Sequence, residues 1–282
     1  MEQTLTIGKH LAVSACGASG LAFTVFIIVL VNHLTGFNLF ALNVYAIVPV
    51  GGMIAGFAAA SGYYFSCIGF SVRPNVAVLA QIILASALAQ ILVYYAEFRW
   101  MSFDDGTALS TVMSFSGYMK AYLQALHIYG GRHLRDLGPM QGAGWWFAGI
   151  EYLGFLMGGL VVYLALKAHP VCRTCNCYLK QLASKHQYFS DSDTFAMQYQ
   201  TLPDLAENVE ALTSLLALSP SRDAQEPGHI KLTTTLYGCS RCKGERLEQR
   251  VRIHTEKGWR TADDQARQFD LPEGASVRAC FD

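Results

Sequence analysis

Charged residues are scarce in this sequence, and the shortage is confined to its first part. Only 15% of the 282 residues are Asp, Glu, Lys or Arg, whereas soluble domains usually carry about 25%. None occurs from 10 to 72 or from 74 to 96, and Glu151 is the only one between 137 and 166. Because a soluble fold needs charged and polar residues on its surface, this distribution argues against a soluble first part.

The motifs of several enzyme classes are also missing. The sequence has no Walker A pattern, dinucleotide-binding glycine fingerprint, His-Glu-x-x-His motif or nucleophile elbow. The net charge is zero, and residues 167–282 hold 15 basic and 15 acidic residues, so nothing indicates a basic face for nucleic acid. We therefore expect a non-enzymatic protein that does not bind nucleic acid.

Four apolar runs are long enough to cross a bilayer, whose hydrocarbon core of about 30 Å needs about 20 residues of helix. They cover residues 11–33, 39–68, 75–96 and 144–166. Trp145 and Trp146 open the fourth run as interfacial anchors would, and Lys167 closes it. We predict an α-helical polytopic membrane bundle over residues 1–167. Its first run is a retained span and not a cleaved signal peptide.

The segment 107–129 is the ambiguous part of the membrane domain. It has apolar residues at helical spacing but also contains Lys120, His127 and Gln124. We interpret it as an amphipathic helix on the membrane surface or over the bundle, and a fifth span is the alternative. With four spans, both termini lie on one side. A modest excess of basic residues favours the cytoplasm for that side, so we expect a bacterial inner-membrane protein with cytoplasmic termini.

Two C-x2-C pairs follow the membrane domain, in "PVCRTCNCYLK" (170–180) and "YGCSRCKGE" (237–245). In a reducing cytosol such cysteines bind metal more often than they form disulfides, and two pairs can supply the four thiolates of a structural zinc site. The predicted ligands are Cys172, Cys175, Cys239 and Cys242, with Cys177 as the substitute for Cys172 and His169 and His186 as weaker candidates. Free thiols, a transient disulfide and palmitoylation are the alternatives.

The C-terminal part, 168–282, is predicted to be an α+β zinc-ribbon-like soluble domain. The 63 residues that separate the two cysteine pairs require an insertion, predicted to be helical over about 178–218. Strands are predicted at 229–238, in a hairpin over 246–261, and at 275–281. Gly244 is expected to allow the tight turn of the second pair.

Polar and small residues within the spans are candidates for function or packing. Glu151 is expected either to mark an ion or proton path or to form hydrogen bonds with the neighbours of Tyr152 or with Gln81, Gln90, Asn43 or Lys120. Lys120 is its expected charge partner. Two G-x3-G patterns permit close helix packing, within one chain or between subunits; they are Gly52/Gly56 and Gly154/Gly158.

These features predict a non-enzymatic membrane protein whose cytosolic structural-zinc domain binds a protein partner or signal and couples it to a homo-oligomeric bundle. The first alternative is an ion channel or membrane-perturbing effector that the cytosolic domain gates. The second is a membrane thiol-redox protein or enzyme that uses Cys172, Cys175 and Cys177.

Overall fold

The computed structural model describes residues 2–37, 39–41, 48–125, 127–130, 135–139, 142–201, 212–213, 216, 228–272 and 274–281. The chain forms two compact units, Met1–Ala168 and His169–Asp282. The first is helical and the second is built on an antiparallel sheet. Each unit has buried apolar clusters of its own.

The first unit contains six helices among its described residues. They are α1 (Glu2–Thr35), α2 (Val50–Phe70), α3 (Val76–Trp100), α4 (Leu109–Val112), α5 (Phe115–Ala125) and α6 (Ala143–Ala168). By length and composition, α2, α3, α6 and the Ile7–Thr35 part of α1 can each cross a membrane. These four helices overlap the four apolar runs and indicate a membrane protein.

The second span is shorter than its apolar run. The run begins at residue 39, but α2 begins at Val50, and Leu39–Ala41 form only a short 3-10 turn. Pro49 stands directly before α2; proline has no N–H to continue a helix, and its ring disfavours helical geometry in the preceding residue. The α3 start is as predicted, because the side chain of Asn75 accepts the N–H of Val78 at 2.9 Å and caps the helix.

The predicted helix over 107–129 is wrong in its extent. It is interrupted between α4 and α5, and residues 127–130 instead form β1 (His127–Gly130), which pairs with β2 (Arg135–Pro139). With 11 residues, α5 is too short to cross a bilayer, so the fifth-span alternative is not supported. Its Tyr118 and Leu123 are buried, and it packs against α3 and α6.

Both G-x3-G patterns lie in one interface, where α2 packs against α6 within the same chain. A Cβ on Gly52 would stand 2.7 Å from the carbonyl oxygen of Glu151, and one on Gly158 would stand 2.6 Å from the backbone nitrogen of Phe57. Such contacts need glycine, because the two backbones nearly touch. Since these glycine faces are buried within the chain, they are not a surface for self-association.

The second unit is a four-stranded antiparallel meander. Its strands are β3 (Lys180–Phe189), β4 (Ile230–Gly238), β5 (Glu245–Thr255) and β6 (Gly258–Asp270), in the order β3-β4-β5-β6. Alternate residues of β4 are buried along its whole length, as in a strand with one covered face. The covered face carries Leu232, Leu236, Leu247 and Val251.

The sequence prediction for this unit is correct for the central hairpin and wrong at both flanks. Residues 178–190 were predicted as helix, but Lys180–Phe189 is a strand paired with β4 throughout. Its Leu, Lys, Gln and Ala favour helix only where no partner strand competes. The insertion does contain a helix, α7 (Ser192–Thr201); the predicted helix at 203–219 lies mostly outside the described residues. The predicted last strand, 275–281, is instead loop and a 3-10 turn, Arg278–Cys280.

The packing of α2 on α6 predicts different outcomes for two alanine substitutions in α2. In Gly56→Ala the new Cβ collides with the carbonyl oxygen of Phe155, whereas at Gly69 no heavy atom lies within 4 Å. We expect Gly56→Ala to lower the free energy of unfolding by about 1–3 kcal/mol and Gly69→Ala to be neutral or slightly stabilising. Denaturant unfolding in detergent micelles measures both, and equal effects would contradict this packing.

Candidate metal centre

Four cysteine sulfurs converge at one end of the sheet. The Sγ atoms of Cys172, Cys175, Cys239 and Cys242 all lie within 4.8 Å of one another, and those of Cys172 and Cys242 are 3.6 Å apart. In a tetrahedral site with zinc–sulfur bonds of about 2.3 Å, the sulfurs stand about 3.8 Å apart. The four cysteines predicted from sequence therefore have the spacing that a tetrathiolate metal site requires.

The first C-x2-C pair forms a compact turn that directs two thiols to the same side. The N–H of Cys172 donates to the carbonyl of Cys177 at 2.8 Å, and the N–H of Asn176 donates to the carbonyl of Cys172 at 3.0 Å. The N–H of Cys175 points at the Cys172 sulfur, 3.5 Å away. Asn176 closes the turn in the left-handed region, with a φ of 54°, which Asn tolerates better than most residues.

The second pair, between β4 and β5, repeats this plan. The N–H of Cys239 donates to the carbonyl of Gly244 at 2.9 Å. Lys243, directly after Cys242, takes the left-handed conformation with a φ of 60°. It corresponds to Asn176 of the first turn. Gly244 was expected to allow this turn, but the left-handed conformation falls on the preceding residue, Lys243.

Strand pairing explains how cysteines 63 residues apart meet. In the antiparallel register of β3 and β4, Lys180 lies opposite Gly238. Cys177 precedes the first of these residues by three positions, and Cys239 follows the second directly. The two turns therefore emerge side by side at the same end of the sheet, whatever the length of the insertion beyond its other end.

The surroundings of the sulfurs favour a thiolate first at Cys239. Burial raises the pKa of this thiol, but hydrogen bonds from the backbone N–H groups of Cys242 and Arg241 and from the Cys177 thiol outweigh burial and lower the pKa to about 6. At Cys242 the N–H of Gly244 lowers the pKa, but the contacts with the neighbouring thiols prevail and raise it to about 12. A bound cation would displace the protons that the cluster retains.

Cys177 is a fifth thiol beside the four. It is 1% exposed, and its sulfur lies 3.3 Å from that of Cys239. Burial raises the pKa of Cys177, and the contact with Cys239 raises it further. Cys172, and not its predicted substitute Cys177, belongs to the set of four. Cys177 is therefore a neighbour of the site that contacts Cys239.

The two weaker candidates, both histidines, lie outside the set of four. The His169 ring packs against the Tyr178 ring, with centroids 5.5 Å apart. The Nδ1 atom of His186 lies 3.2 Å from the hydroxyl of Thr233, on the sheet. Neither imidazole is among the atoms that converge on the candidate metal position.

Arg246 supports the first turn and was not identified from sequence. Its Nε donates to Asp270 at 2.6 Å, and its Nη1 donates to the carbonyl of Val171 at 3.1 Å. Its side chain is only 8% exposed. Arg173 adds a longer ion pair to Asp270, at 3.6 Å. In the sequence Arg246 is one of several alternating charged residues in a strand, so no local signal distinguishes it.

Glu151 and Lys120, the polar candidates of the membrane unit, do not form the expected pair. Glu151 is 3% exposed; the Tyr94 hydroxyl donates to its Oε2 at 2.9 Å, and the Gln90 side chain donates at 3.4 Å. Lys120 is exposed on α5. Within the part of the chain that the structure describes, no ion pair joins the two. The alternative that Glu151 is hydrogen-bonded to Gln90 is the one found.

The left-handed lysine predicts a stabilising substitution. A side chain in this conformation costs about 1–2 kcal/mol, part of which is offset by the larger unfolded-state entropy of glycine. We expect Lys243→Gly to raise the free energy of unfolding of the zinc-loaded chain by about 0.5–1 kcal/mol. The matched Asn176→Gly change should raise the free energy of unfolding by less, because Asn adopts the left-handed conformation more readily than Lys. Denaturant titration tests this, and a loss of stability in Lys243→Gly would contradict it.

The geometry also predicts which thiols hold the metal. Cys175→Ser should reduce the zinc content of the purified protein from one ion per chain to well below one, because it removes a member of the set of four. Cys177→Ser should keep the full content, because its sulfur is not a member of the set of four. Elemental analysis of both variants decides the matter; retention in Cys175→Ser together with loss in Cys177→Ser would show that the ligand set is different.

Comparisons of the chain with protein-family models, with curated proteins and with solved structures give no match. Two turns of the same design place four thiols at the separations of a tetrathiolate site, and the first unit carries four helices able to cross a membrane.

Proposed function

We propose that this chain is a non-enzymatic membrane protein whose second unit is a zinc-ribbon-like module that folds around a structural zinc ion and binds an acidic protein partner. The observation that carries the proposal is the convergence of four thiols within 4.8 Å. A catalytic zinc keeps one coordination position open for water or substrate, whereas four cysteine ligands fill a tetrahedral site. Such an ion stabilises a fold and performs no chemistry.

The donor set also supports the choice of metal and of compartment. Four thiolates suit zinc, whereas Mg²⁺ and Ca²⁺ prefer oxygen ligands. Thiols at such short separations stay unoxidised only in a reducing compartment. We therefore propose that the second unit lies in the cytosol and that, with four spans, both termini lie there. The proposed membrane is a bacterial inner membrane. The buried glycine pairs give no support to a homo-oligomer, which is not part of the proposal.

The partner surface is the outer face of the sheet, defined as the face opposite the buried residues of β4. Lys231, Arg250 and Arg252 give it three positive charges, and Lys231 lies over the Tyr188 ring, 5.1 Å from its centroid. Glu248 is the one opposing carboxylate on these central strands, and it pairs with Arg250 at 2.6 Å. A net positive, polar and exposed face is complementary to an acidic protein segment.

Site-specific photo-crosslinking in intact cells tests the proposal. A photoreactive residue at the exposed outer-face position Thr261 or Gln268 should capture a discrete partner, and one at Lys257 in the β5–β6 turn should not. Arg252→Glu should abolish the product at Thr261. Arg260→Glu, an equal change of charge on a residue opposite Ile253 of the covered face, should leave it intact.

Two further results decide between binding and mere proximity. Disruption of the metal site by Cys239→Ser should remove the crosslinked product, because the face needs the folded sheet. Equal crosslinking at all exposed positions, or a product that persists in Arg252→Glu, would contradict recognition through the outer face.

A further inference from the structure

A buried carboxyl group lies among the helices of the membrane unit, and no ion pair joins it to a cationic side chain among the described residues. Glu151 is 3% exposed, and its neighbours Tyr94 and Gln90 are each 4% exposed. Phe40 packs on both Tyr94 and Phe155, with ring centroids 5.9 and 5.4 Å apart. A lone carboxylate in such surroundings is costly unless it is neutralised.

The groups around Glu151 identify the ligand that neutralises it. The helices packed against α6 are α2, α3 and α5. From α2 comes the backbone at Gly52, which carries no charge. From α3 come the Tyr94 hydroxyl and the Gln90 amide, which both donate hydrogen bonds to Oε2. A metal ion would need acceptors at these positions, so the cation that fits is a proton.

Tyrosines extend from this carboxyl toward the end of α3. The Tyr122 ring contacts the Tyr94 ring with centroids 5.6 Å apart, and the Tyr118 ring contacts the Tyr122 ring at 5.7 Å. The Tyr118 hydroxyl is buried and, among the described residues, accepts and donates no hydrogen bond.

Glu97 is a second carboxyl group of the membrane unit and lies three residues from the end of α3. It is half-buried, and the Asn32 amide donates to its Oε1 at 2.7 Å. The basic residues nearest in sequence, Arg99 on α3 and Lys120 on α5, are exposed. A positive charge therefore neutralises neither carboxyl by direct contact within the described chain.

We propose that Glu151 is a proton-binding site inside the membrane bundle and that the Tyr94 hydroxyl positions its carboxyl group. A tyrosine hydroxyl donates to a carboxylate and accepts from a carboxylic acid, so Tyr94 can keep its hydrogen bond in both protonation states. The proton comes from water and ends on a Glu151 oxygen, without any change in oxidation state. The site makes the bundle responsive to pH.

Infrared difference spectroscopy of the full chain in lipid nanodiscs tests the proposal. The wild type should show a protonated-carboxyl C=O band that decreases as the pH is raised, and Glu151→Gln should remove it. Tyr94→Phe should shift the band because it removes the hydrogen bond to Oε2. The matched Tyr95→Phe change, on the exposed neighbour, should leave the band unchanged.

A band insensitive to pH and to D2O, or identical in wild type and Glu151→Gln, would overturn the proposal. Should Glu151→Gln not fold, the pH titration of the wild type and the Tyr94→Phe spectrum still decide.

Discussion

The antiparallel register of β3 against β4 is the constraint on which the second unit depends. It places Lys180 opposite Gly238, so the turns that precede β3 and follow β4 emerge together and their thiols converge. A slip of one residue would invert the faces of the strand and separate the sulfurs. The metal and the sheet therefore support each other. A bound ion would fix the register at one end, and the register brings the four thiols together. Arg246 strengthens this end of the sheet through its bonds to Asp270 and to the Val171 carbonyl.

The membrane unit depends on a different constraint, which is close approach of helix backbones. Glycines on α2 and α6 let these helices nearly touch, and the carbonyl of Glu151 itself lies in that contact. The same packing holds the Glu151 side chain against Tyr94 and Gln90 of α3. The close helix packing and the buried hydrogen bonds of Glu151 thus occur at the same place in the bundle. A residue larger than glycine at this interface would disturb both.

The sequence predicted the features that depend on composition and local pattern. Apolar length predicted the four spans, and paired cysteines predicted the set of four thiols. Features that depend on a distant partner were missed. Residues 178–190 have the composition of a helix but pair with a strand more than 40 residues away. Lys120 was predicted to pair with Glu151 because of its charge, whereas Tyr94 and Gln90 of α3 form the hydrogen bonds to Glu151. The left-handed conformation of Lys243 was missed because the neighbouring Gly244 is the residue that sequence rules assign to such a turn.

The central claim is that four cysteines hold a structural zinc ion, and X-ray absorption at the zinc edge of the purified full chain tests it most directly. The account predicts one zinc per chain with four sulfur neighbours at about 2.3 Å and no lighter ligand. A first shell that contains nitrogen or oxygen would mean that the site has an open or different position. The absence of zinc from protein prepared with zinc present would contradict the account altogether.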